Sequence, residues 1–156
     1  MDINQKQLRE LIIELINFTD KKVSINEMTT KGCGDLKYKI YSNNKEKYNY
    51  NGFLIKGSIG HGKLSSDVGI AFLLGENKIT NGIYIYLTYN YLKQEIYLKL
   101  GSSHQSKNVI DLEKKNVFNN RYRINYYKDF NYFEITESLI KLLDIFEKSL
   151  INLQNK

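Results

Sequence analysis

Apolar residues recur at helical spacing near both ends of the chain. Near the N-terminus, this spacing predicts an amphipathic helix from Gln5 to Phe18 that ends near residues 20–22. Near the C-terminus, a longer apolar stripe predicts a second helix, with Asn131 at its N-cap and Glu134 three residues later, as in a capping box. The stripe consists of Ile135, Leu139, Leu142, Phe146, Leu150 and Leu153.

The middle of the chain shows the shorter period that is typical of strands. Apolar and β-branched runs predict strands over 53–56, 68–74, 83–91, 95–100 and 121–127, and alternation over 36–41 predicts one more. The connections are too short for the crossovers that parallel strands need. The pattern therefore predicts an α+β fold: a central, mostly antiparallel curved sheet with an N-terminal helix and a long C-terminal helix packed on it. We expect a single domain over residues 1–156.

Composition excludes several classes of protein. The 156 residues are 42% hydrophobic, which is enough for a buried core. No apolar run reaches the roughly 18 residues of a membrane span. The N-terminal residues lack the basic and apolar stretches of a signal peptide, so we expect a cytoplasmic protein. One cysteine and two histidines make a disulfide framework or a zinc site improbable, and we expect no metal and no cofactor.

The net charge of +6 is concentrated in the middle of the chain. Residues 31–128 hold 16 Lys and Arg against 7 Asp and Glu, whereas the two flanks together are slightly acidic. A basic middle favours a polyanionic partner, and a generic lysine-rich surface is the equally weighted alternative. Arg121 and Arg123 share one face of the predicted last strand, where they suit phosphate or simply face solvent.

A glycine-rich segment, Gly57 to Lys63, contains most of a phosphate-binding P-loop. The complete motif continues with Ser or Thr and a helix, whereas Leu64 and strand-forming residues follow here, so nucleotide hydrolysis is not expected. A plain β-turn is one interpretation. The other is a nucleic-acid contact, in which glycines allow close backbone approach, His61 projects at the tip, and Lys56 and Lys63 bind phosphates.

Three short blocks in register carry a resemblance to a known family. They are Ser58-Ile59-Gly60-His61-Gly62-Lys63-Leu64, Ile70-Ala71-Phe72 and Asn81-Gly82-Ile83-Tyr84. In this order and spacing, residues 52–101 resemble the N-terminal recognition domain of the McrB family. McrB is the GTPase subunit of the McrBC modification-dependent restriction system.

The resemblance implies a domain that binds double-stranded DNA and reads a modified cytosine, such as 5-methylcytosine, by flipping the base into a pocket. Three aromatic residues that surround this site in the family correspond to His61, Gly69 and Tyr84. His61 keeps a flat ring where the family has tyrosine, but Gly69 removes the wall that tryptophan provides. A larger modification, or a defined sequence read without base flipping, is therefore an alternative.

The resemblance also implies partners and a division of labour. We expect the chain to be the recognition part of a longer McrB-like polypeptide, with an AAA+ GTPase region and a McrC-like nuclease subunit supplying catalysis. The predicted DNA contacts are Lys56, Ser58, Gly60, His61, Gly62, Lys63, Arg121 and Arg123, and the predicted base pocket comprises His61, Gly69 and Tyr84.

Two other classes of function stay open. A protein-interaction module of a defence complex would dock a subunit through the long final helix and the aromatic strands. A small enzyme would require His61 and Asp67 to converge as an acid–base pair in a closed apolar cleft.

Overall fold

A computed structural model describes residues 1–41, 47–75, 83–102, 123–127 and 129–154. Within these residues, two long helices and six strands form one α+β unit, which confirms the predicted fold class. The helices are α1 (Gln5–Ser24) and α2 (Tyr132–Gln154). The strands are β1 (Tyr48–Tyr50), β2 (Phe53–Ser58), β3 (Asp67–Leu73), β4 (Ile83–Asn90), β5 (Glu95–Ser102) and β6 (Arg123–Tyr127).

The described strands form a single antiparallel sheet in sequence order, from β1 to β6. Each strand pairs with its neighbour in the chain, so the predicted meander is confirmed. The predicted strands over 53–56, 68–74, 83–91 and 95–100 correspond to β2 to β5. The predicted strand over 121–127 corresponds to β6, although residues 121 and 122 lie outside the described part of the chain.

One face of the sheet carries the main hydrophobic core. Alternate residues of the strands, such as Phe53, Ile70 and Ile85, are buried with the apolar stripes of α1 and α2. The opposite face, called the outer face below, has a smaller cluster around Ala71 and Tyr84. The division into two faces follows from the two-residue period of a strand.

Side chains cap both helices at their N-termini. At α1, Asn4 Oδ1 accepts a hydrogen bond from the Gln7 amide at 2.8 Å, and the Gln7 side chain accepts one from the Asn4 amide. At α2, the Glu134 amide donates to Asn131 Oδ1 at 3.2 Å, as the sequence predicted for the cap. Each cap satisfies a backbone amide that lacks a partner within the helix.

The prediction of a strand over 36–41 is wrong. Tyr38 and Ile40 are buried as the alternation indicates, but the segment follows bends rather than a ladder. The Glu14 carboxylate on α1 accepts hydrogen bonds from the amides of Lys37 (3.2 Å) and Tyr38 (3.4 Å). Because Glu14 accepts the backbone hydrogen bonds that a neighbouring strand would otherwise accept, the segment packs against α1 and does not join the sheet.

The pattern of apolar residues missed strand β1. It is short, and a tight turn at Asn51-Gly52 joins it to β2. Both turn residues have positive φ, 48° and 85°, which a two-residue type I′ hairpin requires. The Asn-Gly pair was therefore the sequence signal for this hairpin.

Candidate functional site

The glycine loop, residues 59–66, connects β2 to β3 and has a defined backbone conformation. Gly60 and Gly62 have φ of 115° and 76°, a region that residues with a side chain rarely adopt. A Cβ atom on Gly60 would collide with the Lys63 carbonyl oxygen. The Ser65 amide donates to the Ile59 carbonyl at 2.8 Å and closes the loop on itself. Both glycines are thus needed for the shape of the loop.

A second segment, residues 28–30, lies alongside the glycine loop. The Thr30 amide donates to the Gly62 carbonyl, and the Leu64 amide donates to the Met28 carbonyl, both at 3.1 Å. An isolated antiparallel bridge pairs Thr29 with Lys63. These contacts fix the C-terminal half of the loop, residues 62–64, against residues 28–30.

A buried lysine at the end of α1 anchors this second segment. Lys22 Nζ lies 3.2 Å from Glu27 Oε1 and 3.5 Å from Thr29 Oγ1. The side chain of Lys22 is only 9% exposed, whereas that of Glu27 is 43% exposed, so the ion pair lies at the boundary between core and solvent. The glycine loop is therefore linked to α1 through residues 27–30.

The tip of the loop presents a ring and a cation to solvent. Gly60, His61, Gly62 and Lys63 are all exposed, whereas Ile59 and Leu64 at the ends of the loop are buried in the core. Strand β3 follows the loop where a P-loop has a helix. The loop therefore lacks the helix N-terminus that binds nucleotide phosphates, in agreement with the sequence argument.

Strand register aligns basic residues across the outer face. Ala71 pairs with Lys56 on one side and Tyr86 on the other, and Lys99 pairs with Tyr86 and with Arg123. Lys99 Nζ lies 5.6 Å from the Tyr86 ring centroid and 5.5 Å from that of Tyr97. This row places two of the predicted phosphate contacts, Lys56 and Arg123, at corresponding positions of β2 and β6.

Aromatic rings lie against two glycines of the outer face. A Cβ atom on Gly69 would lie 2.6 Å from Tyr86 Cζ and 2.6 Å from the Leu87 carbonyl oxygen, and one on Gly101 would collide with the Tyr84 ring. The rings of Tyr84 and Tyr86 meet edge to face with centroids 6.0 Å apart. The space that a side chain at position 69 would need is therefore filled by Tyr86.

Both outer-face tyrosines have a raised pKa, and burial is the main cause. Burial raises the pKa of Tyr86, which also hydrogen-bonds the Ser58 side chain. Burial and the neighbouring Tyr86 raise the pKa of Tyr84. Ser58, a predicted DNA contact, is thus engaged with the outer-face aromatic residues.

Of the three predicted pocket residues, Gly69 and Tyr84 lie on the outer face and His61 lies at the tip of the glycine loop. Ser58, Gly69 and Thr88 share one level of the sheet, and the glycine loop begins just beyond it. Tyr84 lies four residues from Thr88 along β4, a distance of roughly 14 Å. Gly69 and Tyr84 are connected through the Tyr86 ring, and His61 lies at the opposite end from Tyr84.

Two polar atoms on the outer face are buried without a hydrogen-bonding partner in the described structure: Asp67 Oδ1 and Thr88 Oγ1. Asp67 pairs with Asn90, which is two residues beyond Thr88 along β4, so the two side chains are neighbours on the same face. No hydrogen bond joins Asp67 to the exposed His61 among the described residues. The acid–base pair that an enzyme would require is therefore not formed in this part of the structure.

Sequence reasoning missed Tyr86 and Lys99. The alternation of β4 and β5 indicates their face, but only the register shows that Tyr86 covers Gly69 and that Lys99 reaches two rings. Of the predicted contacts, Arg121 lies outside the described residues, as does the Asn81-Gly82 pair. The described residues contain no cluster of His, Cys, Asp and Glu that could hold a metal ion. Among them, no helix is long and apolar enough to cross a membrane.

Comparison with known proteins gives no assignment. No protein-family model matches the sequence, and no curated protein matches it. The residues and their geometry, together with the resemblance of residues 52–101, are therefore the basis for a functional proposal.

Proposed function

We propose that this chain is the DNA-recognition domain of a McrBC-like, modification-dependent restriction system. The observation that carries the proposal is the glycine loop, which holds His61 exposed between two left-handed glycines, with Lys63 beside it. A fixed backbone that presents one ring and one cation suits a nucleic acid, because the cation binds phosphate and the ring stacks on a base.

In this proposal, His61 fills the gap that an extruded base leaves in the duplex, or stacks on that base. Extrusion costs a few kcal/mol. Stacking on one aromatic ring contributes about 1–3 kcal/mol, and contacts from Lys56, Lys63, Arg121 and Arg123 to phosphates supply the rest. The loop is bonded to residues 28–30, so little conformational entropy is lost when it binds.

The modified cytosine is proposed to lie against the outer face. There, the Tyr86 ring occupies the space over Gly69, and the Tyr84 ring continues the aromatic surface. This arrangement compensates for the missing side chain at position 69, because a ring from the next strand provides the wall. A wall built in this way differs in shape from a tryptophan on β3, because the ring comes from β4 and lies over Gly69.

The proposal assigns no chemistry to this chain. GTP hydrolysis and DNA cleavage belong to an AAA+ GTPase region and a McrC-like nuclease subunit, and the assembly acts in the cytoplasm.

A binding titration tests this function. Matched duplexes carry cytosine, 5-methylcytosine or 5-hydroxymethylcytosine in one sequence context, and they are titrated with the wild type and with His61→Ala. We expect the wild type to prefer a modified duplex. His61→Ala should lower the affinity for that duplex by about ten- to a hundredfold, because it removes one stacking contact.

Phe133→Ala serves as the matched control. Phe133 is an exposed aromatic residue at the start of α2, where Arg9 stacks on its ring, and it is not part of the proposed site. This variant should bind as the wild type does. Equal binding of all three duplexes would contradict modified-base recognition, and no binding to any duplex would contradict DNA recognition altogether.

A further inference from the structure

The β2–β3 connection and the β4–β5 connection lie at the same end of the sheet. Ser58 pairs with Gly69, Asp67 pairs with Asn90, and Asn90 pairs with Glu95. The glycine loop and the β4–β5 turn (residues 91–94) therefore project from the same end, called the loop end below. Two strand spacings separate the hairpins to which they belong, about 10 Å.

The β4–β5 turn is a rigid tip. Asn90 Oδ1 accepts a hydrogen bond from the Lys93 amide at 3.0 Å, and Tyr91 is buried at the base of the turn. Leu92 is 75% exposed, the largest exposed fraction among the large apolar side chains of the described residues. The turn thus holds an apolar side chain and a cation, Lys93, outward side by side.

A third tip adjoins the glycine loop. The hydrogen bond from the Thr30 amide to the Gly62 carbonyl places Lys31 beside the loop. Gly32 follows in a left-handed conformation, with φ of 91°, and both residues are exposed. Lys31 therefore lies on the same rim as His61 and Lys63.

Three exposed lysines at the loop end form no ion pair with the described residues. Among the described residues, no carboxylate lies within 4.0 Å of the ammonium group of Lys31, Lys63 or Lys93. Two nearby carboxylates are engaged elsewhere: Glu27 by Lys22 and Asp20 by the Tyr89 hydroxyl. Asp35 is exposed close to Lys31, whereas Asp67 and Glu95, the first residues of β3 and β5, lie further in at the base of the loop end.

We infer that the loop end is a three-tip DNA-binding surface, in which Lys31 and Lys93 bind phosphates on either side of His61. Leu92 contacts the bases where the stack opens, because covering its exposed apolar surface with unstacked bases removes that surface from water. The roughly 10 Å between the hairpins is comparable with the ~12 Å major groove, so both tips can engage one duplex. The inference depends on the proposed function and extends its contacts to two segments outside the glycine loop.

Salt-dependent titration of single variants tests this surface. Each phosphate contact contributes about 0.9 to the slope of log affinity against log salt, so Lys31→Gln and Lys93→Gln should each reduce the slope by about that amount. At about 0.1 M salt, the same contact corresponds to an affinity loss of about eightfold. Both variants should lose affinity equally for modified and unmodified duplexes, because phosphate contacts carry no base information.

Lys148→Gln is the matched control, because it removes the same charge from an exposed i, i+4 pair with Asp144 on α2. It should leave slope and affinity unchanged. Leu92→Ser should weaken binding without changing the slope, since it removes an apolar contact and no charge. Circular dichroism and the thermal midpoint should be those of the wild type for every variant, since all four positions are exposed.

The outcomes separate this inference from the proposed function. If the wild type binds DNA with a steep salt dependence and both lysine variants keep its slope, the three-tip surface is wrong and the proposed function stands. If the wild type shows no salt-dependent binding to DNA, the proposed function itself fails. Reduced slopes in Lys31→Gln and Lys93→Gln, but not in Lys148→Gln, support the surface.

Discussion

Three aromatic residues determine where this sheet needs glycine. The rings of Tyr41, Tyr86 and Tyr84 occupy the positions that side chains at Gly57, Gly69 and Gly101 would need. None of these three glycines has positive φ, so the constraint is space and not backbone conformation. An aromatic ring packed over a strand glycine restores the contact area that the glycine lacks.

Gly69→Ala is therefore expected to destabilise the protein. Its Cβ atom would lie 2.6 Å from both Tyr86 Cζ and the Leu87 carbonyl oxygen, and the backbone oxygen has little freedom to move. Overpacking of this kind costs about 1–3 kcal/mol in the free energy of unfolding, which urea denaturation measures.

Gly34→Ala is the control for this change. Nothing lies within 4 Å of a Cβ atom at Gly34, and its φ is not positive, so its effect should stay within about 0.5 kcal/mol. Equal stability of the two variants would show that Tyr86 does not pack over Gly69 in solution.

Buried tyrosines make the stability of the protein sensitive to alkali. Burial raises the pKa of Tyr41, Tyr84 and Tyr86 above the ordinary value of 10.0. Above pH 10 the unfolded state releases these protons first, so it binds fewer protons than the folded state and stability falls as pH rises. Below pH 10 these tyrosines cause no loss of stability. The free energy of unfolding falls as the pH rises from 10 through the pKa values of the folded state.

Tyr41→Phe is expected to reduce this alkaline loss. The Tyr41 hydroxyl is buried without a hydrogen-bonding partner in the described structure, so its removal should also stabilise the protein at neutral pH, by about 1 kcal/mol. Urea midpoints at several pH values, compared with wild type, measure both effects. A destabilised Tyr41→Phe at neutral pH would mean that the hydroxyl has a partner in solution.

At the scale of elements, hydrophobic period predicted the two helices and five of the strands because each buries one face in a shared core. The period misassigned residues 36–41, where burial also alternates. What decides between a strand and a packed connection there is the source of acceptors for the backbone amides. Glu14 supplies them from α1, 23 residues away in sequence for Lys37, and no local pattern contains that information.

Replacement of Glu14 by alanine should loosen this connection. The amides of Lys37 and Tyr38 would lose their acceptor, whereas Tyr38 would keep its hydroxyl bond to Glu10. Hydrogen exchange at these two amides should become at least tenfold faster, the effect of about 1.4 kcal/mol in a local opening equilibrium. Glu137→Ala, at an exposed position on α2, should leave both rates unchanged. Protection that survives in Glu14→Ala would assign those amides another acceptor.

At the scale of the whole molecule, the sequence predicted the architecture better than the site. Local period and short connections suffice for a meander of neighbouring strands, since each pairing is between sequence neighbours. The exposure of His61 also followed from its position between glycines. The grouping of side chains on the outer face did not, because register brings Tyr86 over Gly69 and separates Tyr84 from the glycine loop.

The strand order places the three proposed tips at one end of the sheet. The glycine loop, residues 28–32 and the β4–β5 turn all lie at this end, and hydrogen bonds hold each of them in place. The proposed DNA recognition at this surface relies largely on phosphate contacts, so it requires an affinity that depends steeply on salt.

The salt dependence of wild-type affinity for a duplex with a single modified cytosine is the decisive measurement for DNA recognition by this domain. With about five phosphates neutralised, log affinity should fall with log salt at a slope near −4 to −5, about 0.9 per contact. A slope near zero across the same range of salt would contradict DNA recognition by this domain.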